Sequence, residues 1–316
     1  MNVQVLYLIF NRPDHTRQSF EALRKIKPAF LYIAADGPRD GNERDIRDCA
    51  EVRNIVKDIT WKCEVKTLFR DKNLGTKYAV SSAIDWFFEN VEEGIIIEDD
   101  CIPHPHFYDF ASAMLDKYRD NPRIMQINGT NLLKGKRIVK NSSYYFSNFS
   151  HPWGWATWRR AWQLNDIAMK DFPMYSKENL LIALKDDPDV MNYWYNNLTL
   201  VYHDKINTWD YQWCYAFWKN NGLAITPAMN LVTNIGFDEL GTHTFSKVNR
   251  FSKMKTYPMN KIIHPPAIVV NHEADRYANL QRNKELNPSL WYKIWYKFDL
   301  ITKDLKSKYQ NPKYAK

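Results

Sequence analysis

Gly94-Ile95-Ile96-Ile97-Glu98-Asp99-Asp100 is the stretch from which the rest of this chain is best read. A short unbroken apolar run is the pattern of a central strand covered on both faces, and here three carboxylates follow it at once. Their repulsion must be relieved by a cation, by protonation or by water. A hard divalent ion, Mn2+ or Mg2+, takes one or two carboxylates and keeps positions for phosphate oxygens and water, so it can bridge protein and diphosphate. The plainer reading is that Asp99 or Asp100 caps a helix beginning after Pro103.

Upstream of this stretch, strand and helix patterns alternate. Strands are expected at 3–10, 30–35, 64–68 and 94–97, and helices at 14–26, 42–57 and 76–89. Such alternation implies βαβ units and a parallel sheet, and open sheets of this kind bind ligands beyond the carboxyl ends of their strands. Asn11-Arg12, Asp36-Gly37, Arg70-Asp71 and the acidic triplet occupy those places. Downstream come a helix at 107–119, a strand at 124–127, and an aromatic-rich half in which eight of the twelve tryptophans lie between Trp153 and Trp218. With no Gly/Ser linker or internal repeat in view, one domain is expected over 1–275, with a donor half at 1–128 and an acceptor half at 129–275. Residues 276–316 read as a tail.

Charge and cysteines narrow the function classes. The net charge is +8, but the tail alone carries ten Lys/Arg against three Asp/Glu, so residues 1–275 are nearly neutral. That argues against a nucleic-acid groove, which would cluster its cations within the fold. The segment 290–298 interleaves aromatics with lysines. It reads either as a helix at an anionic membrane surface or as one docking on the body. Cys49, Cys63, Cys101 and Cys214 form no C-x-x-C pair, which disfavours a zinc knuckle or disulfide framework. No run reaches the roughly 18 apolar residues of a transmembrane helix, so the expected location is cytoplasmic, with peripheral attachment to the inner membrane face as an option. A phosphate loop, a dinucleotide-binding glycine motif, a zincin helix and a serine-hydrolase elbow are all missing.

The chain resembles the GT-A-fold glycosyltransferases, in particular the N-acetylglucosaminyltransferase I and protein-O-mannose N-acetylglucosaminyltransferase group. The resemblance is distant but ordered. Phe10-Asn11-Arg12 is similar to that group's first-strand Cys-Asp-Arg, Asp36-Gly37 stands where its uracil-reading Asp stands, and Lys77-Tyr78 looks like its His-Tyr pair near the donor. Glu98-Asp99-Asp100 with Pro103, Pro105 and the aromatics at 107–110 resembles its Glu-Asp-Asp segment. His151-Pro152-Trp153-Gly154-Trp155 resembles its acceptor-side loop, and Trp209-Asp210-Tyr211-Gln212-Trp213 its Trp-Asp motif.

The resemblance implies a Rossmann-like α/β fold, a UDP-sugar or related donor, and a saccharide or glycolipid acceptor. It gives Asp100 the metal, Asp99 the ribose, Glu98 the sugar or a metal-bound water, and Asp210 the part of general base in an inverting displacement. Asn11, Arg12 and Lys77 would hold the donor. Trp153, Trp155, Trp158 and Trp209 offer flat faces for the acceptor ring, although tryptophans at such spacing are more often core. The glycine-bounded loop after Asn234 would bring His243 to the metal, with His264 and His272 as competitors. Without a signal or anchor, the chain looks like a microbial surface-polysaccharide or lipopolysaccharide enzyme. The rival readings are a sugar-phosphate nucleotidyltransferase, which would carry a Gly-rich loop where Asn11-Arg12-Pro13 stands, and a non-catalytic carbohydrate-binding protein.

Overall fold

In the computed structural model, which describes residues 3–237 and 251–286, the first hundred residues alternate strand and helix. β1 (Gln4–Ile9), β2 (Phe30–Ala35), β3 (Glu64–Phe69) and β4 (Glu93–Glu98) are separated by α1 (Pro13–Ile26), α2 (Glu43–Ile55) and α3 (Gly75–Asn90). β1 pairs in parallel with both β2 and β4, and β2 with β3. Period-two alternation splits each central strand between two cores. Val5, Tyr7 and Ile9 join Ile95 and Ile97 beneath α1 and α2, while Leu6, Leu8 and Ile96 meet Ala83, Ile84 and Phe87 of α3. Local signals set the helix ends. Pro13 opens α1 and left-handed Lys27 closes it with an N–H bond to the Leu23 carbonyl, whereas α3 begins at Gly75, whose φ is +73°.

After β4 come β5 (Cys101–Pro103), α4 (Pro105–Tyr118), β6 (Ile124–Asn128), β7 (Tyr144–Ser147), β8 (Trp155–Trp158) and α5 (Arg159–Trp162). They are followed by α6 (Lys177–Leu180), α7 (Pro188–Tyr202), α8 (Asp210–Lys219), β9 (Leu223–Pro227), β10 (Val232–Asn234) and α9 (His272–Leu286). The large sheet runs β3-β2-β1-β4-β8-β6-β9-β7, and β10 pairs with β5 in a small second sheet. The fold is therefore the expected α/β sheet flanked by helices, parallel through its first four strands. The reversal enters at β8, which lies antiparallel between β4 and β6.

That placement corrects the reading of Trp155. Its residue is 0% exposed and its ring packs on Trp162, Trp209 and Trp213, so it is core, as a strand covered on both faces requires. Trp158 is likewise buried, its indole N–H donating to the Leu115 carbonyl at 3.2 Å.

The division drawn at 275/276 cuts through α9, whose first half belongs to the body. Ala274 and Ala278 are buried with Leu132, Leu133, Tyr145, Phe237 and Phe251. Asp275 accepts hydrogen bonds from Ser147 Oγ (2.6 Å) and Asn148 N (2.9 Å). Burial pushes the Asp275 carboxyl up to about 7. An acid whose pKa is raised by folding stabilises fully below its unfolded value, and that stabilisation is lost as the pH rises through the folded value. The thermal midpoint is therefore expected to fall between about pH 4 and pH 7, by an amount equivalent to a few kcal/mol at most. Asp275→Asn, which cannot ionise, should flatten that fall in a melting series. An unchanged slope would show that Asp275 does not set it.

Candidate active site

The carboxyl end of β4 opens into a cleft of about 470 Å³. Arg12, Thr76, Glu98, Asp100 and Asn234 line one part of it. Thr208, Trp209, Asp210 and Tyr211 from the start of α8, Tyr193 and Trp194 from α7, and Arg282 from α9 line another. His151, Pro152 and Trp153 contribute from the loop before β8. Residues 98, 100 and 210, far apart in sequence, thus share one cavity.

The three consecutive carboxylates do not share a direction. Glu98 and Asp100 face the cleft, but Asp99 is 2% exposed and absent from its lining. One Asp99 oxygen pairs with Arg12 Nη2 and the other is buried without a partner, while Ser19 Oγ donates to the Asp99 backbone carbonyl. Asp99 therefore holds Arg12, and the ribose-facing role expected for it does not fit its burial. Arg12 Nη1 reaches Asp100 Oδ2 at 3.0 Å, so one guanidinium bridges both aspartates. Burial raises the Asp99 carboxyl, and Arg12 opposes the rise. Glu98 is held well above the usual carboxylate range, first by burial and then by Asp100, with Asp99 and Asp210 adding to it.

Asp100 is fixed from a second side. Asn234 Nδ2 donates to its Oδ1 at 3.2 Å, and Ile235 N donates to its backbone carbonyl at 2.8 Å. A Cβ on Gly236 would come within 2.2 Å of Asp100 Oδ2, so the chain can pass here only as glycine. Neither aspartate caps α4, whose N-cap is His104.

Asp210 is the first residue of α8, where a negative charge complements the helix N-terminus. Its Oδ1 accepts a hydrogen bond from Thr208 Oγ1, and Trp209 beneath it stacks on Trp155 at 5.7 Å and 18° between planes. Trp153 lies at the cleft wall, packed against Phe237 and Phe251. Its loop is held by buried amides: Gln126 Nε2 donates to the His151 carbonyl at 2.8 Å, and His151 N to Asn128 Oδ1 at 3.0 Å. Gly154 follows at φ +64°, a conformation that favours glycine.

Several expected donor contacts are spent inside the protein. Asp36 accepts from Gly37 N, Leu74 N, Gly75 N and Asn73 Nδ2, at 2.9 to 3.2 Å. It clamps the turn that starts α3, which is not the work of a base reader. Lys77 Nζ is paired with Asp204 at 2.7 Å and Asn11 Nδ2 with Asp45 at 2.8 Å, and neither residue lines the cleft. His264 Nδ1 lies 2.9 Å from the Tyr144 hydroxyl and His272 opens α9, both outside the cleft lining. His243 and the aromatic segment 290–298 fall outside the described residues.

No group of three His, Cys, Asp or Glu side chains that could hold a metal is assembled among the described residues. Two oxygen donors, Glu98 and Asp100, do face one cavity. A hard divalent ion that keeps phosphate oxygens and waters needs no more than that. The Glu98 carboxylate accepts no hydrogen bond among the described residues and is crowded by like charge, so it is the one a cation would relieve. The donor set fits Mg2+ or Mn2+. No helix among the described residues is long and apolar enough to cross a membrane.

Three lining residues were invisible in the sequence reading. Asn234 reaches Asp100 only because β10 pairs with β5, where Asn234 lies opposite Cys101. His151 was seen only as part of a tryptophan motif, and Arg282 only as one of ten tail cations.

No family model and no curated protein matches the sequence. Among solved structures, the chain is similar to HddC from Yersinia pseudotuberculosis at 11% identity, over 54% of this chain and 80% of that one, with a TM-score of 0.30. It is similar to 4-diphosphocytidyl-2C-methyl-D-erythritolsynthase from Anaerococcus prevotii at 4% identity, over 55% and 78%, with a TM-score of 0.33. Mouse xyloside xylosyltransferase 1 is similar at 13% identity, over 69% and 81%, with a TM-score of 0.34. Nothing among these matches singles out the N-acetylglucosaminyltransferase I group, and likeness at this level leaves the function of the chain to its own cleft.

Proposed function

We propose that the protein is a glycosyltransferase that moves a sugar from a nucleotide-diphosphate donor, a UDP-sugar by preference, to a hydroxyl of a saccharide or glycolipid acceptor. The observation that carries this reading is the shared cavity: Glu98 and Asp100 at the end of β4, Asp210 at the start of α8, and the indole of Trp153 at its wall. Glu98 and Asp100 would hold Mn2+ or Mg2+. When bound, the ion would neutralise charge gathering on the leaving diphosphate.

Asp210 takes the proton of the acceptor hydroxyl as that oxygen bonds to the anomeric carbon. The bond from that carbon to the diphosphate oxygen breaks, and its electron pair leaves with the nucleoside diphosphate. One displacement of this kind inverts the anomeric centre. Arg12 keeps Asp99 and Asp100 in place. Trp153 gives an acceptor ring an apolar wall while polar groups set its orientation, whereas Trp209, 3% exposed and stacked on Trp155, is core at the margin of the cleft.

The test is a thermal-shift panel of UDP-, GDP-, CMP- and dTDP-sugars with and without Mn2+. Stabilisation by one nucleotide class, enhanced by metal and lost in Asp100→Ala, is expected. No shift with any donor would overturn the reading. A sugar-phosphate nucleotidyltransferase would instead respond to a free nucleoside triphosphate together with a sugar 1-phosphate.

A further inference from the structure

The cations of the cleft are not equivalent. Arg12 is consumed by Asp99 and Asp100. Arg282, at the other end, has no ion pair among the described residues, and its Nη1 is buried without a hydrogen-bond partner. Its guanidinium lies over the Trp194 ring, 4.9 Å from the centroid. That cation–π contact holds the guanidinium against the indole at the cleft. Its charge acts on His151 and Tyr211, which line the same cleft. Burial first, and then Arg282, push the His151 imidazole down to about 3, so His151 carries no charge at neutral pH. Among the described lining residues, Arg282 is thus the one cation without a carboxylate.

An arginine fork matches a carboxylate or a phosphate in two parallel hydrogen bonds, and Arg282 lines the cleft with no carboxylate beside it among the described residues to take that place. The side of the cleft it serves follows from its neighbours. Tyr211 adjoins Asp210 in α8, the residue that would receive the acceptor's proton, whereas the metal-holding carboxylates lie with Arg12 at the end of β4.

We propose that Arg282 is the specificity residue for an acidic acceptor sugar, pairing with a carboxylate or phosphate substituent while Asp210 addresses the reacting hydroxyl. This inference rests on the transferase reading for the word acceptor, but the anion preference itself can be measured without turnover. Tryptophan fluorescence suits the purpose, because Arg282 covers Trp194.

Three probes that differ only at C6 are titrated into the protein: methyl β-D-glucopyranoside, methyl β-D-glucuronide and methyl β-D-glucopyranoside 6-phosphate. One or both anionic probes should bind about tenfold or more tightly than the neutral one, and the better of the two identifies carboxylate or phosphate as the group read. Arg282→Gln should erase the preference, and Arg282→Lys, which keeps the charge but not the fork, should restore part of it. Equal binding of all three probes, binding of none, or a preference that survives Arg282→Gln overturns the proposal. The donor panel is run on the same samples. A donor shift without anion preference fails this inference alone, while an anion preference without any donor shift fails the transferase reading and leaves an acidic-sugar site.

Discussion

Asp210→Asn is expected to retain nucleotide-sugar binding and to lose turnover by about 10²- to 10⁴-fold, the range that a positioned general base supplies. The substitution is close to isosteric, and the amide oxygen can still accept the hydrogen bond that Thr208 Oγ1 gives to Oδ1. What disappears is the capacity to take a proton. The other cleft carboxylates are less suited to that task. Asp100 is committed to Arg12 and Asn234, and Glu98, the carboxylate that a cation would relieve, would be committed to the metal. Single-turnover measurement of product, beside donor binding by thermal shift, separates the two effects. A drop in turnover with donor affinity intact, and a product of inverted anomeric configuration, is the expected pair of results. Normal turnover in Asp210→Asn would remove it as the base even if the donor still bound.

The parts of the fold legible in sequence were those whose burial is two-sided and periodic. The runs at β1, β2 and β4 are apolar on both faces, and the observed strands begin and end within two residues of the expected ones. β8 was not legible, because Trp155-Ala156-Thr157-Trp158 beside a glycine reads equally as an aromatic loop, and only pairing with β4 and β6 makes it a central strand.

The site divides in the same way. That Glu98, Asp100 and Asp210 share a cavity was an expectation of the ordered resemblance, and the three do line one cleft. Which triplet member turns away is set by the turn that Asp99 and Asp100 make between β4 and β5, and by the pairing of Asp99 with Arg12, neither of which residue type alone dictates. The commitments of Asp36 to the start of α3 and of Lys77 to Asp204 depend on contacts between distant segments. Arg282 shows the limit of counting charge: a basic stretch gives its sum, but not which guanidinium turns inward.

Replacing Arg12 should be the most damaging single change to stability at the site. Arg12→Met keeps an unbranched chain of similar length but strips Asp99 of its one partnered oxygen, on a residue that is 2% exposed and whose second oxygen is already unpaired. Removing one partner of a buried ion pair typically costs 3–5 kcal/mol, roughly, because the other charge is stranded. For a chain of this size that corresponds to a fall in thermal midpoint on the order of 10 °C. The pair itself need not be worth that much, since burying two charges is expensive. The loss is the penalty on the survivor. The argument therefore predicts a rescue: Asp99→Asn added to Arg12→Met should be more stable than Arg12→Met alone, as read by thermal or urea melts. Without that recovery, Arg12 would be stabilising through Asp100 or through packing instead. If Arg12→Met melts like the parent, Arg12 is not the counter-ion that keeps the end of β4 folded, and the positioning assigned to it in the cleft fails with it.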